Sequence, residues 1–360
     1  MLHKPKKMIL TAGPSITKKE ISYVLDAVKN GWGRKCYDYI HKFEKAFAKY
    51  LGVKYALATS GGTGALWLGL VALKIGRGDE VIIPELTYYA CSDVVKLVGA
   101  KPVFVDILED TWCIDPSEVK KKITKWTKAI MPTDIYGSAC EMKELKKFGI
   151  PIIQDACEGI GGIYRGKPIG AMADIAAFSF QGAKVMVTGV GGMFTTNNKK
   201  LYERVEFIND HGESNTRKFW QEEVGYEFEM SNIQAALGLA QLERLDQLVK
   251  KKTQIFKWYK QQLGRYLQMN KVGLYSQSNY WMTCIVLPNE INRKKFMKEL
   301  KKRGVDSRPF FYPISMFPIY KEQDTPIAHH ICLQGVNLPS GYNLTKKQVD
   351  YVCDQVLDLI

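Results

Sequence analysis

The chain has 360 residues, of which 46% are hydrophobic and 24% are charged, a composition typical of a globular protein with a large core. No run approaches the roughly 20 unbroken apolar residues of a membrane span, and residues 1–10 lack the apolar stretch of a secretory signal, so we expect a cytoplasmic protein. The formal net charge of +14 could attract nucleic acid, but the lysines fall in short groups with apolar residues at helical spacing, which predicts solvated helix faces and no nucleic-acid partner.

Short apolar runs rich in β-branched residues recur along the first half of the chain and predict strands. They follow a helix predicted over residues 40–51 and lie at residues 55–60, 80–84, 101–106, 128–132, 150–155, 174–180 and 191–196. Helical or polar stretches separate most of them. This alternation predicts strand–helix–strand units in an α/β fold with a mostly parallel, buried sheet.

The pattern changes near residue 230. Residues 231–252 predict one long helix, residues 280–288 alternate as a strand, residues 293–300 predict a helix, and residues 305–313 predict an extended edge. We therefore expect a large α/β domain over residues 1–245 and a smaller α+β domain over residues 246–360.

The eight cysteines lie far apart and form neither a C-x-x-C pair nor a cluster with the five histidines. That spacing argues against a zinc site. Isolated cysteines in a chain of this size usually behave as small buried hydrophobes, so we predict that all eight belong to the core.

A glycine-rich stretch, residues 61–64, follows the first predicted strand and opens a helix. Free backbone N–H groups at a helix start form an anion site. The same residues fit a glycine-lined turn equally well, so this stretch alone leaves both interpretations open.

Two further polar side chains follow predicted strands, where open α/β sheets bind ligands. Asp155 ends the strand at residues 150–155, and Tyr88 follows the strand at residues 80–84. Asp155 could instead cap a following helix, and Tyr88 could be a packing residue.

Lys184 lies in the segment "FSFQGAKVMVTGVGG", residues 178–192, where its neighbours are apolar or glycine. Burial of a lysine favours its neutral amine, the form that Schiff-base chemistry requires. The alternative is a lysine whose stem follows apolar surface to solvent. Together with a strand-end carboxylate, an aromatic ring and an anion site, however, this lysine matches the needs of pyridoxal phosphate.

These residues resemble the DegT/DnrJ/EryC1/StrS family, pyridoxal-phosphate-dependent nucleotide-sugar aminotransferases with the aspartate-aminotransferase fold (fold type I). The resemblance covers nearly the whole chain and rests on "ATSGGTGALWLGL", "GRGDEVIIPELTYYA", "IIQDACEGIGG", "FSFQGAKVMVTGVGG", "MSNIQAALGLAQLERLD" and "SRPFFYP". Within the family, "RKFWQEEVGYEF" and "GVNLPSGYNLT" look most like the GDP-perosamine synthases, which aminate C4 of a 4-keto-6-deoxy sugar.

The resemblance implies a role for four residues around the cofactor ring. Lys184 would bind the cofactor covalently and then move a proton between substrate and cofactor. Asp155 would hold the proton on the pyridine nitrogen. Tyr88 would stack on the ring, and Glu158 would approach its 3-hydroxyl.

The remaining implied roles concern the phosphate, the substrates and the assembly. Gly62, Thr63 and Ser179 would hold the cofactor phosphate, and Arg308 lies in the segment that approaches the nucleotide sugar. By resemblance the amino donor is L-glutamate, and pyridoxamine phosphate carries the amino group between the two half-reactions. Family members are homodimers with the active site between subunits, and their products are destined for surface glycans.

Four positions depart from the family pattern, and all lie in segments near the cofactor. Ala183 replaces the usual Ser, Thr or Asn, and Val190 replaces an acid. Glu227 replaces an asparagine that reaches the partner subunit's phosphate, and Glu229 replaces an arginine. Because a carboxylate repels a phosphate, Glu227 is left out of the predicted binding residues.

Three other functions remain as alternatives. The first is amination of a dTDP- or UDP-linked keto sugar. The second is sugar 3-dehydration, against which Lys184 argues because that branch of the family has histidine at this position. The third is a non-catalytic binding or regulatory protein on the same fold.

Overall fold

The computed structural model describes residue 5 and residues 7–360, so residues 1–4 and 6 of the segment predicted to lack a secretory signal lie outside it. None of the helices in the described part of the chain combines the length and the apolar character needed to cross a membrane. The strands are β1 (Tyr55–Thr59), β2 (Glu80–Pro84), β3 (Lys101–Val105), β4 (Thr127–Ile130), β5 (Ile153–Asp155), β6 (Ile163–Tyr164), β7 (Lys167–Pro168), β8 (Ile175–Ser179), β9 (Gly192–Thr196), β10 (Gln268–Met269), β11 (Ser276–Gln277), β12 (Thr283–Val286), β13 (Arg308–Pro309) and β14 (Gly335–Leu338).

Helices connect these strands and cover the sheets. The α-helices are α1 (Lys18–Asn30), α2 (Asp38–Leu51), α3 (Gly62–Ala72), α4 (Ala90–Leu97), α5 (Pro116–Lys122), α6 (Met142–Leu145), α7 (Lys199–Asn209), α8 (Asn232–Leu242), α9 (Leu245–Leu263), α10 (Arg293–Lys302), α11 (Pro326–Gln334) and α12 (Lys346–Leu357). Short 3₁₀ turns lie at Gly33–Lys35, Ile135–Gly137, Lys146–Phe148 and Ile314–Met316.

Seven strands lie side by side at the centre of the molecule. One group has the order β3-β2-β4 with all strands parallel, and the other has the order β1-β9-β8-β5 with only β9 antiparallel to its neighbours. Two isolated parallel bridges, Ile130 to Ile152 and Thr133 to Asp155, join the segments of β4 and β5. The α/β fold with a mostly parallel sheet is therefore confirmed.

The core follows directly from the apolar pattern. Strand β2 is buried along its whole length, as expected for a parallel strand covered on both faces. Helix α2 buries Ile40, Phe43, Phe47 and Leu51 on one stripe, the stripe that the sequence predicts. Helix α3 lies close against the sheet because Gly69 has no side chain: a Cβ there would be 3.2 Å from Ile175 Cγ2.

The C-terminal part contains a second, antiparallel sheet with the order β10-β12-β14-β13. Residues of α9, α10 and α12 form a hydrophobic cluster with this sheet. The predicted extended edge at residues 305–313 contains β13, the edge strand of this sheet. The division into domains 1–245 and 246–360 stays a prediction.

The single long helix predicted over residues 231–252 is wrong, because the segment forms two helices, α8 and α9. Arg244 interrupts it with φ −113° and ψ 7°. The side chain of Arg244 pairs with buried Glu20 and donates a 3.0 Å hydrogen bond to Ser15 Oγ. These distant contacts fix the break, and the periodicity of the segment does not show them.

The cysteine prediction holds for six of the eight residues, since Cys36 and Cys157 are only half-buried. All eight cysteines are free thiols. Cys157 is partly open because it lines the cavity described below, so its environment is set by that cavity and not by the core.

Candidate active site

A cavity of about 460 Å³ opens where the C-terminal ends of β5 and β8 meet the start of α3. Every residue that the sequence analysis assigned to the site lines it: Gly62, Thr63, Tyr88, Asp155, Glu158, Ser179, Lys184 and Arg308. A larger groove of about 890 Å³ lies beside β3 and contains none of them. The fold thus brings together residues that are up to 246 positions apart in the chain, while their individual roles stay predictions.

Asp155 is the last residue of β5 and is buried. Its Oδ1 accepts a 3.0 Å hydrogen bond from the Cys157 N–H, and its Oδ2 accepts one of 3.0 Å from the Cys91 thiol. Burial raises the pKa of the Cys91 thiol well above its ordinary value, and the Asp155 carboxylate adds to this shift, so the thiol stays a donor. Turns follow Asp155 instead of a helix, which removes the helix-cap alternative.

Lys184 lies in the loop after β8, and its backbone N–H donates a 2.8 Å hydrogen bond to the Gln181 carbonyl. Its Nζ is 3.2 Å from Glu158 Oε1, and the two side chains are only 13% and 4% exposed. The ammonium therefore has a carboxylate partner that the sequence around Lys184 does not reveal. This pairing, and not a stem extending to solvent, is how the fold accommodates the charge.

The Glu158 carboxylate, the partner of Lys184, is held in place by a backbone hydrogen bond. Its Oε2 accepts a 2.7 Å hydrogen bond from the Tyr136 N–H. Burial raises the pKa of Glu158, while the Lys184 ammonium and the Tyr136 N–H oppose that shift. The carboxylate can thus hold a proton or a cation at the wall of the cavity.

The start of α3 forms an anion-binding cradle. The first hydrogen bond within the helix runs from the Ala65 N–H to the Gly61 carbonyl, so the N–H groups of residues 62–64 have no partner inside the helix. A Cβ on Gly62 would lie 2.6 Å from Cys157 Sγ and 3.1 Å from Ser179 Cβ. Only glycine therefore fits there, and the cradle suits a phosphate.

Tyr88 and Arg308 lie at the open side of the cavity. Tyr88 is 42% exposed, its hydroxyl donates a 2.6 Å hydrogen bond to the Tyr89 hydroxyl, and its ring contacts Phe311 edge-on at 5.5 Å. Arg308, in edge strand β13, is exposed. Both side chains are accessible to a ligand.

The four departures from the family pattern have different surroundings. The Ala183 carbonyl accepts a 2.7 Å hydrogen bond from Trp281 Nε1, and the Val190 carbonyl accepts one of 2.9 Å from Gln234. Glu227 lies 3.4 Å from His211 Nε2. Neither Glu227 nor Glu229 is among the residues with which this chain lines the cavity.

The sequence analysis missed several lining residues. They include Thr133, Cys157, Gln181, Trp281 and Phe311. Trp281 comes from the C-terminal part of the chain and lies in none of the quoted motifs, whereas Phe311 lies within "SRPFFYP", three residues after Arg308. Cys157 could have been found, because it lies two residues after a strand-end aspartate.

The donors of this cavity suit pyridoxal phosphate. The group needs an amine for its aldehyde, a carboxylate for its ring nitrogen and N–H donors for its phosphate. Lys184, Asp155 and the cradle at residues 62–64 supply these three features in one cavity.

Comparison with known proteins identifies relatives over the whole length. Residues 14–357 match the DegT/DnrJ/EryC1/StrS aminotransferase family. The chain is 39% identical over 356 residues to a GDP-perosamine synthase of Escherichia coli O157:H7, covering 97% of this chain and 98% of that protein. It is also 39% identical over 364 residues to a GDP-perosamine synthase of Caulobacter vibrioides, with coverages of 97% and 98%.

Solved structures of sugar aminotransferases have the same fold as this chain. Spr1654 from Streptococcus pneumoniae, described as a sugar aminotransferase and solved in its PMP form, superposes with a TM-score of 0.91 at 27% identity, covering 98% of this chain and 99% of that one. Its PLP form superposes with the same TM-score. The predictions of the fold type, of an aminotransferase and of pyridoxal 5′-phosphate as cofactor are confirmed. The chain belongs to the DegT/DnrJ/EryC1/StrS aminotransferase family.

Proposed function

We propose that this aminotransferase moves an amino group from L-glutamate to C4 of a nucleotide-linked 4-keto-6-deoxy sugar, as a GDP-perosamine synthase does. The observation that carries the proposal is the cavity that gathers Lys184, Asp155 and the cradle at residues 62–64. The 39% identity with two GDP-perosamine synthases supports the choice of sugar and of the GDP group.

Pyridoxal phosphate, when bound, supplies an electrophilic carbon and a ring that accepts electrons. The N–H groups at the start of α3, with Ser179, hold its phosphate. The Asp155 carboxylate holds the proton at its ring nitrogen, because a buried anion stabilises a neighbouring cation. The Nζ atom of Lys184 takes a proton from the reacting carbon and later returns it. The Glu158 carboxylate, 3.2 Å from Nζ, stabilises the positive charge that the amine then carries.

The open side of the cavity provides for the sugar nucleotide. Arg308 is an exposed guanidinium on the cavity wall. Its fork of donors matches the two phosphates of a nucleoside diphosphate. Tyr88 would stack on the cofactor ring, and Phe311, which contacts the Tyr88 ring edge-on, presents an apolar ring to the sugar.

Assaying a panel of 4-keto-6-deoxy sugars linked to GDP, dTDP or UDP, with L-glutamate as donor, tests this assignment. We expect kcat/KM to favour the GDP-linked sugar at least about tenfold, which corresponds to 1.4 kcal/mol of discrimination. Formation of 2-oxoglutarate in step with the amino sugar measures turnover, and reactions lacking the sugar serve as controls. A preference for the dTDP- or UDP-linked sugar would contradict the GDP assignment and support the alternative substrate.

We infer that the enzyme is a homodimer with the active site shared between subunits, as the family resemblance implies. The segment that precedes Glu227 supports this, because Phe219, Trp220 and Val224 are 84%, 50% and 73% exposed. Large apolar side chains grouped on one exposed segment commonly mark an interface.

Light scattering should therefore give twice the 40.9 kDa mass of the chain. The double variant F219D/V224D should shift the mass toward that of the monomer, because both side chains already lie outside the core and charge there opposes association. A Lys218→Ala variant, which changes an adjacent polar side chain, should stay dimeric. A wild-type mass of one chain would refute the homodimer. The cytoplasmic location and the glycan destination of the product stay predictions.

A further inference from the structure

Trp281 covers the amine of Lys184. The Nζ of Lys184 is 4.0 Å from the centroid of the indole ring, and Trp281 is only 6% exposed. Its Nε1 donates a 2.7 Å hydrogen bond to the carbonyl of Ala183, the residue before the lysine. The indole thus contacts both the side chain and the backbone of the lysine segment.

Hydrogen bonds to the backbone around Trp281 hold its indole in position. Asn279 is buried, and its Nδ2 donates 2.7 Å hydrogen bonds to the carbonyls of Glu158 and Ile160. Its Oδ1 accepts a 2.8 Å hydrogen bond from the backbone N–H of Trp281. One amide therefore ties together the segments of both groups that contact Lys184. Between them, Tyr280 has φ +48°, a strained value for a tyrosine.

A second buried group holds the same segment from the other side. The Nζ of Lys252 donates hydrogen bonds of 3.0 Å to the Trp281 carbonyl and 2.6 Å to the Ser340 carbonyl. Lys252 is itself buried. The indole therefore has little freedom to move away from Lys184, and the contact persists as a property of the fold.

The indole face distinguishes the two protonation states of Lys184. Its π-electrons attract an ammonium, and this attraction is strongest where water is excluded. A neutral amine gains little from the same contact. The side chain of Lys184 is 13% exposed, so solvent screens the interaction only weakly.

We propose that Trp281 is a further catalytic residue, whose indole face binds the ammonium form of Lys184 while that amine carries a proton during the reaction. The role rests on the proposed function of Lys184 as the group that takes up one proton and returns it. Trp281 and Glu158 then share the charge, one through its ring and one through its carboxylate.

Other charged and titratable groups line the same cavity as the amine. They are Glu158, Asp155, Cys157, Tyr88 and Arg308. Of these, Glu158 forms the ion pair with Lys184. All five side chains are retained in a variant at position 281, so a shift seen there reports the change at the ring.

The test measures how readily Lys184 is acetylated by acetic anhydride as a function of pH in the full-length, cofactor-free enzyme, with the modified peptide quantified by mass spectrometry. Only the neutral amine reacts with the anhydride, so the midpoint of the profile marks the pH at which half of the Lys184 side chains have lost the ammonium proton. Fluorinated tryptophans at position 281 keep the shape and the N–H but withdraw π-electron density. We expect the midpoint to fall stepwise with the number of fluorines, and to fall by about 0.5 to 1 pH unit in Trp281→Leu.

Trp126 provides the matched control, because it is 52% exposed and lies outside the cavity. Fluorination at position 126 should leave the Lys184 profile unchanged. An unchanged midpoint in the fluorinated Trp281 protein would overturn the proposal, even if Trp281→Leu fails to fold. The measurement uses neither sugar nor glutamate, so its outcome is separate from that of the substrate assignment.

Discussion

The Lys184→Ala variant is expected to lose transamination by about 10⁴-fold or more in kcat/KM, because it removes both the covalent anchor of the cofactor and the group that moves the proton. The visible absorbance band that arises from the covalent linkage between lysine and cofactor should be lost with it. The fold should survive, since the side chain lies on a cavity wall and is not packed in the core. Initial rates with glutamate and the keto sugar, together with the visible spectrum, measure both effects.

A matched lysine variant shows that the loss is local. Lys167, in β7, is exposed and is not among the residues that line the cavity, so Lys167→Ala should keep wild-type rates and spectrum. Added methylamine should partly restore the proton-transfer step to Lys184→Ala, because a small amine can occupy the space left by the side chain. Substantial unassisted transamination by Lys184→Ala would disprove the assigned role.

The Asp155→Asn variant is expected to lower kcat by about 10²- to 10³-fold, the usual effect of removing one preorganised electrostatic contact. A neutral amide cannot stabilise a proton on the ring nitrogen as a carboxylate does. The amide would also face two donors, the Cys91 thiol and the Cys157 N–H, which now satisfy the carboxylate at 3.0 Å each. Steady-state kinetics and the cofactor dissociation constant would separate chemistry from binding.

A neighbouring buried aspartate offers the control. Asp134 accepts hydrogen bonds from the Gln154 side chain and the Cys140 N–H, and it is not on the cavity wall. Burial raises the pKa of Asp134 to about 7, so a neutral side chain is already well populated there near neutral pH. Asp134→Asn should therefore retain kcat within about threefold, as expected for a change outside the reacting groups. Equal losses in the two variants would indicate a structural role for Asp155 instead.

Most of the site could be predicted because strand ends are local features. Asp155 ends the strand predicted over residues 150–155, and parallel strands place such ends at one edge of the sheet, whereas Ser179, the last residue of β8, was assigned through the family resemblance. The phosphate cradle was ambiguous by itself. The close packing at Gly62, where a Cβ would meet Cys157, depends on a residue almost one hundred positions away, so only the folded chain could decide between cradle and turn.

The partners of Lys184 illustrate the opposite case. Trp281 follows it by nearly one hundred residues, and its indole reaches the lysine through an unusual backbone at Tyr280 and the amide of Asn279. Neither hydrophobic periodicity nor motif spacing contains such contacts. Family resemblance assigned Glu158 to the cofactor, whereas the fold also makes it the ion-pair partner of the lysine.

The amino-acid sequence by itself determined the α/β architecture, the buried parallel strands, the family and the eight residues that meet in the cavity. The architecture depends on periodicity, which is local, whereas Glu158, Ser179 and Arg308 were assigned to the site through the family resemblance of their motifs. Tertiary structure alone decided the break at Arg244, the pairing of Lys184 with Glu158 and the indole above its amine. Each of these features depends on contacts between segments that are far apart in the chain. Such contacts stabilise the protein only after folding has brought the segments together, at the entropic cost of closing the loop between them.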